Sequence, residues 1–179
     1  MKKAVTFKAI FTPIFILAFL YSNAQANNGK AAKPDSTISE SINNHAIFYE
    51  IGGPGLAQSL NYDTRLGSNR NGWGFRIGAG YFGRGGNSVL TVPFQFNYLF
   101  GTGSNFFEIG EGTTYLNAKG STRDTFFQFD NVNGFIGTAT LGYRYQPQRN
   151  RFNFRIAFVP IFYDEGVIPG GGISVGYSF

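Results

Sequence analysis

Six charged residues carry most of the chemistry open to this chain: Glu50, Asp63, Arg76, Glu108, Arg144 and Arg155. Three carboxylates and three guanidiniums can pair with one another as charge-assisted forks, or can ring a passage and select ions. Each lies in a stretch where large apolar residues occupy every second position. Tyr49 and Ile51 flank Glu50, Phe75 and Ile77 flank Arg76, Phe107 and Ile109 flank Glu108, Tyr143 and Tyr145 flank Arg144, and Phe154 and Ile156 flank Arg155. A period of two is a β-strand whose faces meet different media, so the six charges share the face opposite the apolar one. Counted along their strands they also fall near one depth, where opposite charges can meet.

Other chemistry is poorly supported. Gly78-Ala79-Gly80-Tyr81-Phe82-Gly83 fits the spacing G-x-G-x-x-G, but no helix follows it, and a dinucleotide site needs strand, turn and helix. His45 is the only histidine and there is no cysteine, so no metal set and no thiol nucleophile can form. No Ser/His/Asp set converges, and Asp124, Asp130, Asp164 and Glu165 are not spaced as a calcium loop. We expect no catalytic residues, no bound metal and no cofactor. The pI of 9.5 is misleading. Three of the 15 basic residues, Lys2, Lys3 and Lys8, stand in the first eight positions, leaving 12 against 10 acidic ones and no basic patch for nucleic acid.

The elements that must position these charges are strands. Abundant Gly, with Phe and Tyr dominating the apolar set, points to an all-β chain. Eight alternating segments are predicted at 46–52, 56–66, 73–82, 90–100, 105–117, 134–146, 151–162 and 171–179, near the ~9–11 residues that cross a bilayer as tilted strands. Connections 67–72, 101–104 and 147–150 are short; those at 83–89, 118–133 and 163–170 are mostly longer. Gly52-Gly53-Pro54-Gly55 reads as a hairpin tip or as a bulge in one long strand. Closure of an antiparallel barrel needs an even count, which favours the hairpin. The predicted fold is a closed antiparallel eight-stranded transmembrane β-barrel.

Face assignment turns Ile47, Leu56, Leu60, Phe94, Phe158, Ile173 and their alternates outward. Glu50, Asn61, Asp63, Arg76, Gln95, Asn97, Glu108, Thr140, Arg144 and Arg155 turn inward, because Lys or Arg facing lipid costs roughly 2–4 kcal/mol at midplane. Inner glycines (Gly74, Gly78, Gly80, Gly110, Gly112, Gly142, Gly176) are expected to make room for the long arginines. Aromatic residues gather in two girdles, Tyr62, Trp73, Tyr98, Phe100, Tyr145, Phe152 and Tyr177 at one end and Tyr81, Tyr115, Phe162 and Tyr163 at the other. Glu111 and Thr113 share the outward parity of their strand, which a bulge or a position above the hydrocarbon would relieve.

The last stretch, Gly171-Gly172-Ile173-Ser174-Val175-Gly176-Tyr177-Ser178-Phe179, alternates large apolar with tiny residues and ends on an aromatic. It resembles the terminal strand of Gram-negative outer-membrane β-barrels, and 46–179 resembles the small eight-stranded barrels of the outer-membrane protein A and X type. That resemblance implies an outer-membrane location, with lipid and lipopolysaccharide as surroundings. It also implies Tyr177 and Phe179 as the signal read by the barrel assembly machinery, and an interior filled by a charged network. It fits an amino terminus with Lys2, Lys3 and Lys8, an apolar run at 10–21 and small residues at Ser22, Ala24 and Ala26, expected to be a signal peptide over 1–24. Residues 25–45 are expected to be a flexible periplasmic lead-in, and 46–179 the barrel.

An eight-stranded barrel is just wide enough for its own side chains to fill it, so the charged layer is expected to plug the lumen. The function expected is non-enzymatic, structural or surface-interacting. The alternatives are a narrow pore or transporter for small solutes, in which the same charges select ions, and, less favoured, a lipid-modifying enzyme. Phe126, Phe127 and Phe129 in the longest loop are candidate contacts for a surface ligand that the sequence does not identify.

Overall fold

The computed structural model describes residues 44–122, 129–147, 151–164 and 166–179. The segment 1–24, most of the lead-in, and Phe126 and Phe127 lie outside them. The strands are β1 (His45–Gly52), β2 (Gln58–Arg65), β3 (Gly72–Arg84), β4 (Asn87–Thr102), β5 (Asn105–Lys119), β6 (Ser121–Thr122), β7 (Phe129–Asp130), β8 (Asn133–Tyr145), β9 (Phe152–Phe158), β10 (Ile161–Tyr163), β11 (Gly166–Ile168) and β12 (Gly171–Ser178).

These strands form eight staves. Thr138 pairs with Ile161 and Leu141 with Phe158 in one unbroken register, so β9 and β10 are one stave interrupted at Val159-Pro160. Pro160 has no N–H to donate, but its carbonyl still accepts from Ala139 N at 3.1 Å. β11 and β12 make the last stave, bridged where Val159 N donates to Gly170 O at 2.8 Å. Antiparallel pairing runs β1–β2–β3–β4–β5–β8–β9/β10–β11/β12, and β12 pairs with β1 to close the ring. The closed barrel has no sheet edge, and an edge is what a strand cannot leave unpaired in lipid.

The register measures the stagger of the barrel. A path across paired residues runs Ala46, Asp63, Arg76, Gln95, Gly112, Thr138, Ile161, Ile168. Ile168 lies four residues before Gly172, the partner of Gly52, so the circuit returns to the first stave ten residues above its start. Eight staves with a shear of ten tilt their strands by about 40°.

The period of two sorts the side chains as the sequence predicts. Exposed large hydrophobics ring the outside, among them Ile51, Leu60, Phe96, Phe107, Phe158 and Ile173. Polar and charged side chains fill the inside. Aromatics stack along the rim that carries His45 and Phe179: Trp73 meets Tyr98 edge-on at 5.1 Å, Tyr98 lies 4.5 Å from Phe100, and Phe100 lies 6.3 Å from Phe107. Tyr115 and Phe135, 5.4 Å apart, mark the far rim.

Several expectations change. The first strand starts at His45, which pairs with Thr64. The far-rim connection near 83–89 is not an irregular loop: β3 and β4 run on to Arg84 and Asn87 around Gly85-Gly86. Both glycines have positive φ (58° and 83°), the two-residue turn whose twist suits a hairpin. The 163–170 connection is likewise largely strand, in β10 and β11. Leu56 does not face outward but is buried inside. No bulge rescues Glu111, since β5 keeps one register against β4 from Lys119 to Asn105 and one against β8 from Asn105 to Asn117.

Candidate functional site

Among the described residues, the lumen gathers most of the buried charged side chains. Glu50, Asp63, Arg76, Glu108, Arg144 and Arg155 come from six staves and are all buried in it. Arg144 is the hub. Its Nη1 and Nη2 donate to Asp63 Oδ1 and Oδ2 at 3.0 Å each, and its Nε donates to Glu108 Oε2 at 3.1 Å. Arg155 grips the same carboxylate, with Nε 3.0 Å from Oε2 and Nη2 on Oε1. The fork geometry of guanidinium on carboxylate is what makes such contacts strong and directional.

Arg76 and Glu50 form a looser pair, Nη1 to Oε1 at 3.4 Å. Phe48 links the two groups: the Arg155 guanidinium lies 4.4 Å from its ring centroid and that of Arg76 5.8 Å. Such cation–π contacts are strongest when desolvated, as here.

Arg65 is a seventh member of the network. Arg65 donates through Nη2 to Asp63 Oδ1 at 2.6 Å and to Asn97 Oδ1, and through Nη1 to Gly72 O at 3.1 Å. Asn97 Nδ2 completes the site by donating to Asp63 Oδ2 at 2.7 Å. Arg65 has the parity of Asp63, so its inward direction is legible in the sequence. Gly74 admits it, since a Cβ there would meet the Arg65 guanidinium carbon at 2.3 Å. The other inner glycines do not all serve arginines. Gly78 leaves space for Asn61, Gly112 for Gln95 and Gly176 for Phe48.

Above the charges the lumen closes a second time. Gly53–Gly55 form one turn of 3-10 helix, and this tip of the β1–β2 hairpin folds inward with Gly53, Pro54 and Gly55 buried. Two threonines on opposite-running strands pin its carbonyls: Thr114 Oγ1 donates to Pro54 O at 2.8 Å and Thr91 Oγ1 to Gly55 O at 3.0 Å. Leu56 then packs with Leu116, Ile136 and Ile161, with Val89, Val132 and Ile168 around them. Between the two levels Gln95 donates to Thr138 Oγ1 at 2.9 Å and accepts from Thr140 Oγ1 at 3.0 Å.

The other mouth is crossed by Arg70, from the β2–β3 turn. Its Nη1 donates to Gly103 O at 2.9 Å in the β4–β5 turn, its Nη2 donates to Gln146 O beyond β8, and its guanidinium lies 5.7 Å from the ring of inward-facing Phe106. Nothing in local sequence points to contacts that span 33 and 76 residues.

His45 is structural. It hydrogen-bonds with Tyr62 Oη at 2.8 Å and Thr64 Oγ1 at 2.9 Å, while its backbone exchanges two hydrogen bonds with Phe179. Tyr177 and Phe179 point outward and are exposed at the rim of the chain ends. Phe129 lies in β7, paired with Thr122 of β6.

No family model matches this chain, and no curated protein sequence matches it. Two solved structures are similar. The amino-terminal β-barrel domain of Pseudomonas aeruginosa OprF superposes with a TM-score of 0.54 at 13% identity, covering 77% of this chain and 98% of that one. The fold is shared. The Yersinia pestis outer membrane protein Ail, in a phospholipid bilayer nanodisc, gives a TM-score of 0.47 at 16% identity over 76% of this chain and 97% of its own. A closed antiparallel barrel with an apolar belt, aromatic rims and a polar interior is the architecture of outer-membrane proteins.

Proposed function

We propose that this chain is a non-enzymatic outer-membrane barrel with a shut lumen, acting as a structural or surface-interaction protein. The observation that carries this is threefold closure. Arg70 and Phe106 cross one mouth, the charged network fills the middle, and the inturned Gly53–Leu56 tip with its apolar cluster fills the far end. A selectivity ring needs charges that face water and weakly held ions. Asp63 and Glu108 are instead each held by two arginines. With His45 and Phe179 at the periplasmic rim, β6 and β7 lie at the opposite end, outside the cell, where a surface ligand would meet them. Tyr177 and Phe179, exposed at the periplasmic rim, are placed for the barrel assembly machinery, and lipid and lipopolysaccharide surround the belt.

Conductance across a planar bilayer tests the reading. The refolded chain is expected to be electrically silent. Steady, ion-selective steps from the unmodified protein would overturn the shut lumen and make the arginines the selectivity ring of a narrow pore.

A further inference from the structure

Among the described residues one carboxylate, Glu111, stands outside the lumen in the middle of the lipid-facing belt. Glu111 has outward parity on β5, between Ile109 and Thr113, in a register with no bulge. It lies four residues above Phe107 and four below Tyr115, which belong to the two aromatic rims. In a tilted strand that is about 10 Å of height from each rim. A headgroup reaches neither down nor up so far, and water is absent there. Among the described residues its carboxyl has no hydrogen-bond or ion-pair partner. Thr113, beside it, gives its hydroxyl hydrogen to Ile136 O at 3.1 Å.

The surroundings of Glu111 differ from the rest of the belt. Its cross-strand neighbours are Phe96 on β4 and Ala139 on β8, and Thr113 faces Gly137. Thr113 and Ala139, over a buried Gly137, thus make a notch of small residues in a belt carried elsewhere mostly by Phe, Ile, Leu, Val and Tyr. Small residues that let two surfaces approach, with a polar group between them, are how membrane segments associate in the absence of a hydrophobic drive. A polar group at this depth is costly unless hydrogen-bonded, and is a functional-site hypothesis by default.

We propose that the Glu111 notch is a lateral docking surface for a second copy of this chain. Copies inserted in the same orientation can be related by a two-fold axis only along the membrane normal. A residue beside that axis meets its own equivalent at its own depth. Two carboxyl groups meeting in their neutral form satisfy each other, each donating one hydrogen bond and accepting one, and no charge enters the hydrocarbon. Acyl chains offer no donor or acceptor at this depth.

The chain has no cysteine, so single thiols report contact cleanly. In lipid vesicles holding the full barrel, Ala139→Cys is expected to form disulfide-linked dimers on oxidation. Tyr49→Cys, facing lipid on β1 across the barrel, is expected to stay monomeric. Adding Glu111→Leu to Ala139→Cys is expected to weaken dimerisation by about tenfold, the scale of a hydrogen-bonded contact in a membrane. Glu111→Gln, whose amide can also pair with itself, is expected to keep most of it. Equal cross-linking from Tyr49→Cys and Ala139→Cys, or dimers indifferent to Glu111→Leu, would overturn the proposal.

Discussion

Arg144 holds Asp63 with two hydrogen bonds and Glu108 with a third, from a fully buried position. Its removal leaves the buried carboxylates of Asp63 on β2 and Glu108 on β5 each short of a partner. Breaking a buried pair by deleting one member costs about 3–5 kcal/mol, so Arg144→Met should lower the unfolding free energy of the refolded barrel, read by urea titration, by an amount near that. Arg76 contacts Glu50 only at 3.4 Å, and its Nε and Nη2 have no protein partner among the described residues. Arg76→Met should therefore cost clearly less than Arg144→Met; equal shifts would show that the network is not centred where the geometry puts it. Phe179 belongs to a different class. It is exposed, its hydrogen bonds to His45 are made by backbone atoms, which any residue supplies, and its ring meets only the His45 ring, at 5.8 Å between centroids. Phe179→Ala is expected to leave the unfolding free energy of the refolded protein within about 1 kcal/mol while lowering its yield in outer membranes. Loss of stability with unchanged membrane yield would remove Phe179 from the role of assembly signal.

At the scale of elements, the inturned tip of the β1–β2 hairpin is held against a backbone cost. Leu56 has φ 71° and ψ −75°, a conformation side chains avoid, and its N–H donates to Gly53 O at 3.0 Å. The strain is sustained because its side chain enters the apolar cluster. The expected order of variants is therefore unusual. Leu56→Ala should cost about 2–5 kcal/mol through lost packing, whereas Leu56→Gly, which loses the same packing but relaxes φ, should cost about 1 kcal/mol less than Ala. Thermal unfolding of both variants distinguishes this from the ordinary ranking, in which Gly is the worse choice. The same element shows where sequence reading stops. Period-two alternation was enough to send Glu50, Asp63, Arg76, Glu108, Arg144 and Arg155 inward, because a strand's faces follow from parity alone. Arg65 obeys the same parity and was recoverable. The burial of Leu56 was not, since the tip bends on positive φ at Gly52 and Gly53 and its direction is decided by Thr91 and Thr114, 36 and 60 residues away from the carbonyls they hold. Glu111 was legible as an anomaly; only the unbroken register removed the bulge that would have explained it.

For the whole molecule, eight staves and a shear of ten fix a backbone radius of about 8 Å, which side chains from all staves can fill. The closures at Arg70, at the charged layer and at the Gly53–Leu56 tip lie at successive depths and use different physics: hydrogen bonds to turn carbonyls, desolvated ion pairs and apolar packing. Closures in series act so that opening one leaves the others shut. Arg76→Ala/Arg144→Ala should weaken the barrel yet remain silent in a planar bilayer, because the tip and Arg70 still block the path. Replacing Gly53–Leu56 by a hairpin too short to bend inward should likewise be silent by itself. Only a variant that combines both changes with Arg70→Ala should conduct, with folding checked by the slower migration of the boiled sample relative to the unboiled one. Conductance from the double arginine variant would show that the tip and Arg70 do not seal, leaving the charged layer as the single barrier. Silence from the triple combination would mean that the lumen stays filled by its remaining side chains, with Gln95, Phe48 and Leu99 sufficient to close a barrel of this radius.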